Sequence, residues 1–75
     1  MSIHEGGLYR HFKGNLYRVH FVAKSSETME EFVVYETLYE NATGRMWVRP
    51  LKMFTEQVER DGKMVDRFAY QGTQA

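Results

Sequence analysis

Leu8 to Phe12 and Leu16 to Ala23 both alternate in the manner of half-buried strands, and only Lys13-Gly14-Asn15 separates them. Side chains in a strand change face at every residue, so two such runs joined so tightly commit the chain to an antiparallel hairpin. Gly14 and Asn15 both tolerate positive φ, which predicts a two-residue turn. That turn sets Lys13 opposite Leu16, His11 opposite Arg18 and Tyr9 opposite His20. One face then holds Leu8, Phe12, Tyr17, Val19 and Phe21, with Arg10 as its only charge. The other holds Tyr9, His11, Lys13, Leu16, Arg18, His20 and Val22. A slip of one residue would mix the two sets, which a half-buried sheet does not tolerate.

The rest of the chain continues the β pattern. Lys24 to Glu31 is polar. Its Thr28-Met29-Glu30-Glu31 has the spacing of a capping box, so it admits a single helical turn, and a connecting loop equally well. Phe32 to Tyr39 is apolar on both faces and reads as a central strand. Asn41-Ala42-Thr43-Gly44 is expected to turn the chain into Arg45 to Arg49, pairing Glu40 with Arg45, Leu38 with Trp47 and Glu36 with Arg49. Pro50 ends that strand. Leu51, Phe54 and Val58 lie at helical spacing. The Asp61-Gly62 pair is the stronger signal, and it favours one short turn followed by a hairpin of Thr55–Glu59 with Met64–Tyr70. The expected fold is mainly β: a small antiparallel five-stranded SH3-like barrel with one short helical turn after Pro50, closed so as to remove exposed edges. A single domain spans 1–75, with its core over about 7–70 and a frayed tail at Gln71 to Ala75.

Composition sharpens this by exclusion. Seventy-five residues hold one hydrophobic core and leave little room for a deep pocket. With no cysteine there is no disulfide framework, thiolate metal site or cysteine nucleophile. Ten basic and ten acidic residues cancel, which excludes the broad basic footprint of a dedicated nucleic-acid binder. The cancellation is uneven: residues 1–24 carry +3, residues 25–40 carry −5 and the remainder +2. Cross-strand ion pairs are expected to absorb part of the acidic segment. No apolar run approaches the roughly 20 residues that span a bilayer, and Met1 to Gly7 lacks the organisation of a signal peptide. A cytoplasmic protein without a membrane partner is expected.

Three groups of residues bear chemistry. His11 and His20 are expected on one face with Tyr9 and Arg18. Arg18 opposite His11 disfavours a metal cation, so the face reads as a contact surface for an anion or nucleotide, or as an ordinary solvated face. Ser25, Ser26, Glu27 and Thr28 offer hydroxyls beside a carboxylate without a nucleophile-elbow pattern, and loop capping explains them more simply. Trp47-Val48-Arg49-Pro50 pairs two residue types enriched in binding hot spots, although the single tryptophan of so small a domain is expected in the core. No phosphate-cradling glycine motif is present.

Tyr9-Arg10-His11-Phe12-Lys13-Gly14, Ser26-Glu27-Thr28, Val33-Val34-Tyr35, Leu38-Tyr39, Trp47-Val48-Arg49-Pro50, Met53-Phe54 and Arg67-Phe68 occur in that order. Together they resemble the bacterial domain-of-unknown-function family 1653 from Gly7 to Phe68. Ser25 stands where the resemblance leads one to expect a histidine. The resemblance implies a stand-alone cytoplasmic bacterial domain and brings no established activity. Its motifs include polar and aromatic residues beyond what a core needs. The expected site is one shallow groove made by the first hairpin and an overlying Ser26–Thr28 loop, with Tyr9, His11, Arg18, His20, Ser26, Glu27, Thr28, Trp47 and Arg49 as ligand-binding residues. A nucleotide, RNA or peptide is the expected partner, with neither cofactor nor metal and no assigned catalytic residue. Homodimerisation through a strand edge is one alternative. A minor enzyme using His11 or His20 with Glu27 as an acid–base pair is the other.

Overall fold

Among the described residues, seven strands and one helical turn follow one another as β1 (Leu8–His11), β2 (Leu16–Lys24), β3 (Glu31–Thr37), β4 (Met46–Pro50), α1 (Leu51–Phe54), β5 (Gln57–Arg60), β6 (Lys63–Asp66) and β7 (Phe68–Tyr70). This computed structural model describes residues 3–40 and 44–73. An antiparallel five-stranded sheet has the order β4-β3-β2-β1-β7, and β5 and β6 form a separate two-stranded ribbon. The chain is therefore mainly β with one turn of helix after Pro50, as the pattern predicts. Its sheet is open and does not close into a barrel. The strands needed for closure are used elsewhere, because Asp61 (φ 54) and Gly62 (φ 78) make a tight turn that pairs β5 with β6. Both central residues have positive φ, as the preferred two-residue hairpin turn requires. The run Met64–Tyr70 then breaks at Arg67, and only its last part, β7, joins β1.

The first hairpin is real, but its register is displaced. Tyr9 faces Tyr17, Leu8 faces Arg18 and Arg10 faces Leu16. The loop has three residues, Phe12 to Gly14, with the Gly14 N–H donating to the His11 carbonyl at 2.7 Å and the His11 N–H to the Asn15 carbonyl at 2.8 Å. Gly14 has φ 111, so the connection is a turn completed by a left-handed residue at its third position, not a turn centred on Gly14-Asn15. The face assignments change accordingly. Tyr9 and His11 join Tyr17 and Val19 on the core face, while Arg18 faces out.

A second irregularity follows in β2. The register against β3 shifts between Val19 and Phe21, so His20 is the extra residue of a β-bulge. The bulge inverts the alternation and brings both Val19 and Val22 to the core face, opposite Tyr35 and Val33. The second hairpin is also displaced: Val33 faces Arg49, Tyr35 faces Trp47 and Glu36 faces Met46. The Thr37 N–H bonds to the Arg45 carbonyl at 2.9 Å, so the connection runs from 38 to 44. The proposed turn at 41–44 falls mostly on residues 41–43, outside the described residues. Residues 25–30 connect β2 to β3 as a loop with one uncontinued helical turn, in which the Met29 N–H donates to the Ser25 carbonyl at 2.8 Å. Ser25 Oγ accepts from the Glu27 and Thr28 N–H groups at 3.3 Å, and Met29 takes φ 65.

The core lies on one side of the sheet and is largely aromatic. Tyr9, Val19, Val33, Tyr35, Phe54 and Phe68 form it, with Ile3, Tyr17, Val22 and Leu51 packed around. Phe54, at 1% exposure, stacks on Phe68 with ring centroids 4.0 Å apart and planes 2° from parallel. Its edge meets Tyr9 and Tyr35 at 5.4 Å. Thr55 ends α1 by donating its hydroxyl and its N–H to the Leu51 carbonyl, at 2.9 and 3.0 Å. The expected frayed tail is partly tied down. The Gln71 N–H donates to the Leu8 carbonyl, and Gly72 accepts from the Leu8 N–H, both at 2.7 Å. Residues 74–75 lie outside the described residues.

On the outer face Glu36 joins three strands. It bonds His20 Nε2 at 2.8 Å from β2 and the Arg45 guanidinium at the start of β4. The expected pairs Glu36–Arg49 and Glu40–Arg45 are replaced by this arrangement, because the observed register sets Arg45 beside Glu36. The Arg45 guanidinium, then the His20 imidazole, hold the Glu36 carboxyl below its ordinary value of 4.5.

Truncating Phe54 to Ala should cost about 3–5 kcal/mol in denaturant unfolding, since it empties the centre of the core. A loss below about 1 kcal/mol would show that α1 does not seal it. The depressed Glu36 value means that this group stabilises the fold above its ordinary range and that the contribution is lost as pH falls through the folded value. Glu36→Gln should therefore lower the melting temperature at neutral pH and become indistinguishable from wild type in acid. An equal deficit at both pH values would remove Glu36 ionisation as the cause.

Candidate functional site

The aromatic core does not end at the buried rings. Tyr17, half-buried on β2, meets Tyr35 at 5.4 Å, Phe68 at 5.6 Å and Tyr39 at 5.7 Å, each edge-on. The Tyr17 and Tyr39 hydroxyls lie 3.1 Å apart, and Tyr39 is exposed. His11, at the end of β1, sets its ring edge-on to Phe68 at 4.9 Å and against Phe12 at 4.5 Å. Trp47, opposite Tyr35 on edge strand β4, is 37% exposed and not in the core. These side chains form one open rim where the core face meets solvent.

Cations line this rim. Arg49 lies two residues from Trp47 on the same face of β4. Its Nε donates to the Tyr35 hydroxyl at 3.4 Å, and its guanidinium lies 5.5 Å from the centre of the Phe68 ring. Lys13 stands over Phe12 at 5.8 Å. Arg67 pairs with Glu56. Burial, then Arg49, Arg67 and Lys13, lower the pKa of His11 below its ordinary 6.5, so the ring is neutral at pH 7. Its tautomer follows from its neighbour. The Lys13 N–H donates to His11 Nδ1 at 3.1 Å, so Nδ1 is the acceptor and the proton sits on Nε2. Burial and the Tyr39 hydrogen bond push the Tyr17 phenol up to about 12, so it stays protonated. The rim thus combines open ring faces and edges, guanidinium and ammonium groups, and neutral hydrogen-bond donors.

The residues predicted for the site are scattered. His11, Trp47 and Arg49 belong to the rim. Tyr9 is buried, and its hydroxyl accepts from the His4 N–H at 3.0 Å. Arg18 faces the other side of the sheet and donates to the Gly6 carbonyl at 2.7 Å. His20 is held by Glu36 on that outer face. Ser26, Glu27 and Thr28 sit in the loop after β2, whereas His11 adjoins the turn before it. At about 3.3 Å per residue the intervening strand sets them on the order of 25 Å apart. The groove joining this loop to the first hairpin is therefore not formed, nor is a His11–Glu27 pair. Phe12, Lys13, Tyr17, Tyr39, Arg67 and Phe68 are the rim residues absent from the expected site. The glycine at the third position of Phe12-Lys13-Gly14 was the available signal, since it specifies the longer loop and with it the correct face.

No three His, Asp or Glu side chains converge as metal ligands among the described residues. Two open depressions border the rim, one of about 430 Å³ beside His11, Phe12 and Arg60 and one of about 460 Å³ beside Tyr39 and Arg45. A smaller one of about 170 Å³ lies beside His4, Tyr9, Phe54 and Tyr70. No helix among the described residues is long and apolar enough to cross a membrane.

A crystal structure of a DUF1653 protein from Bordetella bronchiseptica is similar at 39% identity, with a TM-score of 0.87 over 92% of this chain and 88% of that one. No curated protein is significantly similar. The family model described as protein of unknown function (DUF1653) matches residues 7–70. With nearly the whole described core inside that match, the chain belongs to the DUF1653 family.

Proposed function

We propose that the domain is a small binding module for ligands that combine a planar ring with phosphate, namely nucleotides or short single-stranded RNA. The observation that carries this reading is the surrounding of His11. Arg49, Arg67 and Lys13 act on it together, and the rings of Tyr17, Phe68 and Phe12 flank it. A positive field beside partly exposed rings suits a phosphate and a base at once, because stacking and charge act on different parts of one ligand. His11 Nε2–H and the Tyr17 hydroxyl add neutral donors for a base edge or a sugar. A bacterial cytoplasmic setting, where such ligands are abundant, is part of this reading, and the bacterial origin of the relative supports it. Balanced total charge limits the footprint to a few phosphates.

Trp47 is the only tryptophan, so its fluorescence reports occupancy of the rim. Titration with short RNA and with free nucleotides should quench it. The affinity should fall with salt at a slope of roughly −1 to −2, as expected for one to three phosphates on a single strand. Trp47→Ala, followed by calorimetry, should weaken binding about ten-fold through lost stacking. Arg49→Gln should weaken it similarly and flatten the salt slope. A response to RNA but not to nucleotides identifies a strand as the ligand, and the reverse a free nucleotide. The absence of any response at millimolar concentration, or unchanged affinity in both variants, would refute the reading.

A further inference from the structure

The five-stranded sheet has two edges of unequal character. β7 is three residues long, whereas β4 presents five residues, and its Met46, Trp47 and Val48 are all exposed. No second strand pairs with β4 among the described residues. The bond between the Thr37 N–H and the Arg45 carbonyl fixes the phase of the ladder. Hydrogen-bonded and non-bonded pairs alternate in an antiparallel ladder. Tyr35/Trp47 and Val33/Arg49 therefore belong to the bonded set, and Met46 and Val48 aim their backbone groups away from the sheet. Natural edges are usually guarded by free charges. The charges at this edge are engaged within their own sheet: Arg45 pairs with Glu36, and Arg49 reaches the Tyr35 hydroxyl.

We propose that β4 pairs antiparallel with β4 of a second copy of this chain, about a two-fold axis at Val48. The edge is self-complementary in that register. Each Val48 exchanges its N–H and C=O bonds with the partner's Val48, and each Met46 N–H meets the partner's Pro50 carbonyl. Pro50 lacks an N–H, so the ladder ends there. Trp47 lies directly across from the partner's Arg49 in a close, non-hydrogen-bonded pair, at about 4.5 Å between Cα atoms. The Trp47 ring then covers the aliphatic stem of the partner's Arg49 at both ends of the pairing, and no like charges oppose each other. On the opposite face, the cross-strand row Phe21–Val34–Val48 continues into that of the partner. A second copy is favoured over a foreign strand because the one sequence supplies both halves of each contact. This pairing does not rest on the ligand reading, and Val48, at 62% exposure, points away from the rim.

Sedimentation equilibrium from micromolar to millimolar protein tests the proposal. The mass should rise from 8.9 kDa toward twice that value, and the Val48 amide should gain protection from exchange as it does. Val48→Pro removes the outward N–H without touching the β3–β4 ladder, and Val48→Lys places like charges at the axis. Both should stay monomeric across the range, with circular dichroism confirming the fold. If Val48→Pro disturbs the strand, the lysine variant alone decides. A wild-type chain that remains monomeric throughout would overturn self-pairing, whether or not a foreign strand occupies the edge. Equal dimerisation of the Val48→Lys variant, or concentration-dependent protection confined to 68–70, would overturn it as well.

Discussion

The stack of Phe54 on Phe68 is the contact on which the rest of the molecule depends. An antiparallel sheet of five strands needs one face covered, and among the described residues a single helical turn and a short ribbon are what is there to do it. Phe54 arrives from that turn and Phe68 from the last strand, and their rings lie 4.0 Å apart. The pair joins the two edges of the sheet across its face, since α1 follows β4 directly and Phe68 opens β7. From it the aromatic contacts run inward to Tyr9 and Tyr35 and outward to His11 and Tyr17. The rim is thus the outer margin of the core, and its rings are held rigid by the packing that stabilises the fold.

That continuity accounts for the electrostatics. His11 rests on Phe68, which removes water from one side of the imidazole and raises the cost of protonating it. Arg49 lies over the same phenyl ring and is hydrogen-bonded to a core tyrosine. Neither Arg49 nor Lys13 has a carboxylate partner among the described residues. Glu36 pairs with Arg45 and Glu56 with Arg67. A chain of zero net charge can in this way keep a local positive field, because its acidic residues are committed elsewhere.

The strands, the turn after Pro50 and the Asp61-Gly62 hairpin were legible in the sequence because each rests on a local rule. The faces were not. In both longer hairpins the expected register was displaced by three residues: Arg18 was expected opposite His11 and lies opposite Leu8, and Glu36 was expected opposite Arg49 and lies opposite Met46. An odd displacement leaves the alternation intact while exchanging inside for outside. The cause is loop length. Phe12 and the pair Leu38-Tyr39 look like strand residues, yet each belongs to a connection. The bulge at His20 inverted the phase again within β2, and no local residue preference announces it. Tyr9 and Tyr17 added to the difficulty, since a tyrosine suits either a wet face or a core in which its hydroxyl finds a partner. Half of the polar-aromatic inventory was therefore assigned to the wrong side, while His11, Trp47 and Arg49 were recovered from their chemistry alone.

The most direct test of the cationic aromatic rim is the titration of the His11 ring followed by NMR, in the free protein and with saturating short RNA or nucleotide. The free protein should titrate below 6.5. A bound phosphate should raise the value, because it offsets Arg49, Arg67 and Lys13, and Arg49→Gln should raise it without any ligand. An ordinary histidine value that neither the substitution nor saturating ligand moves would contradict the electrostatic basis of the site.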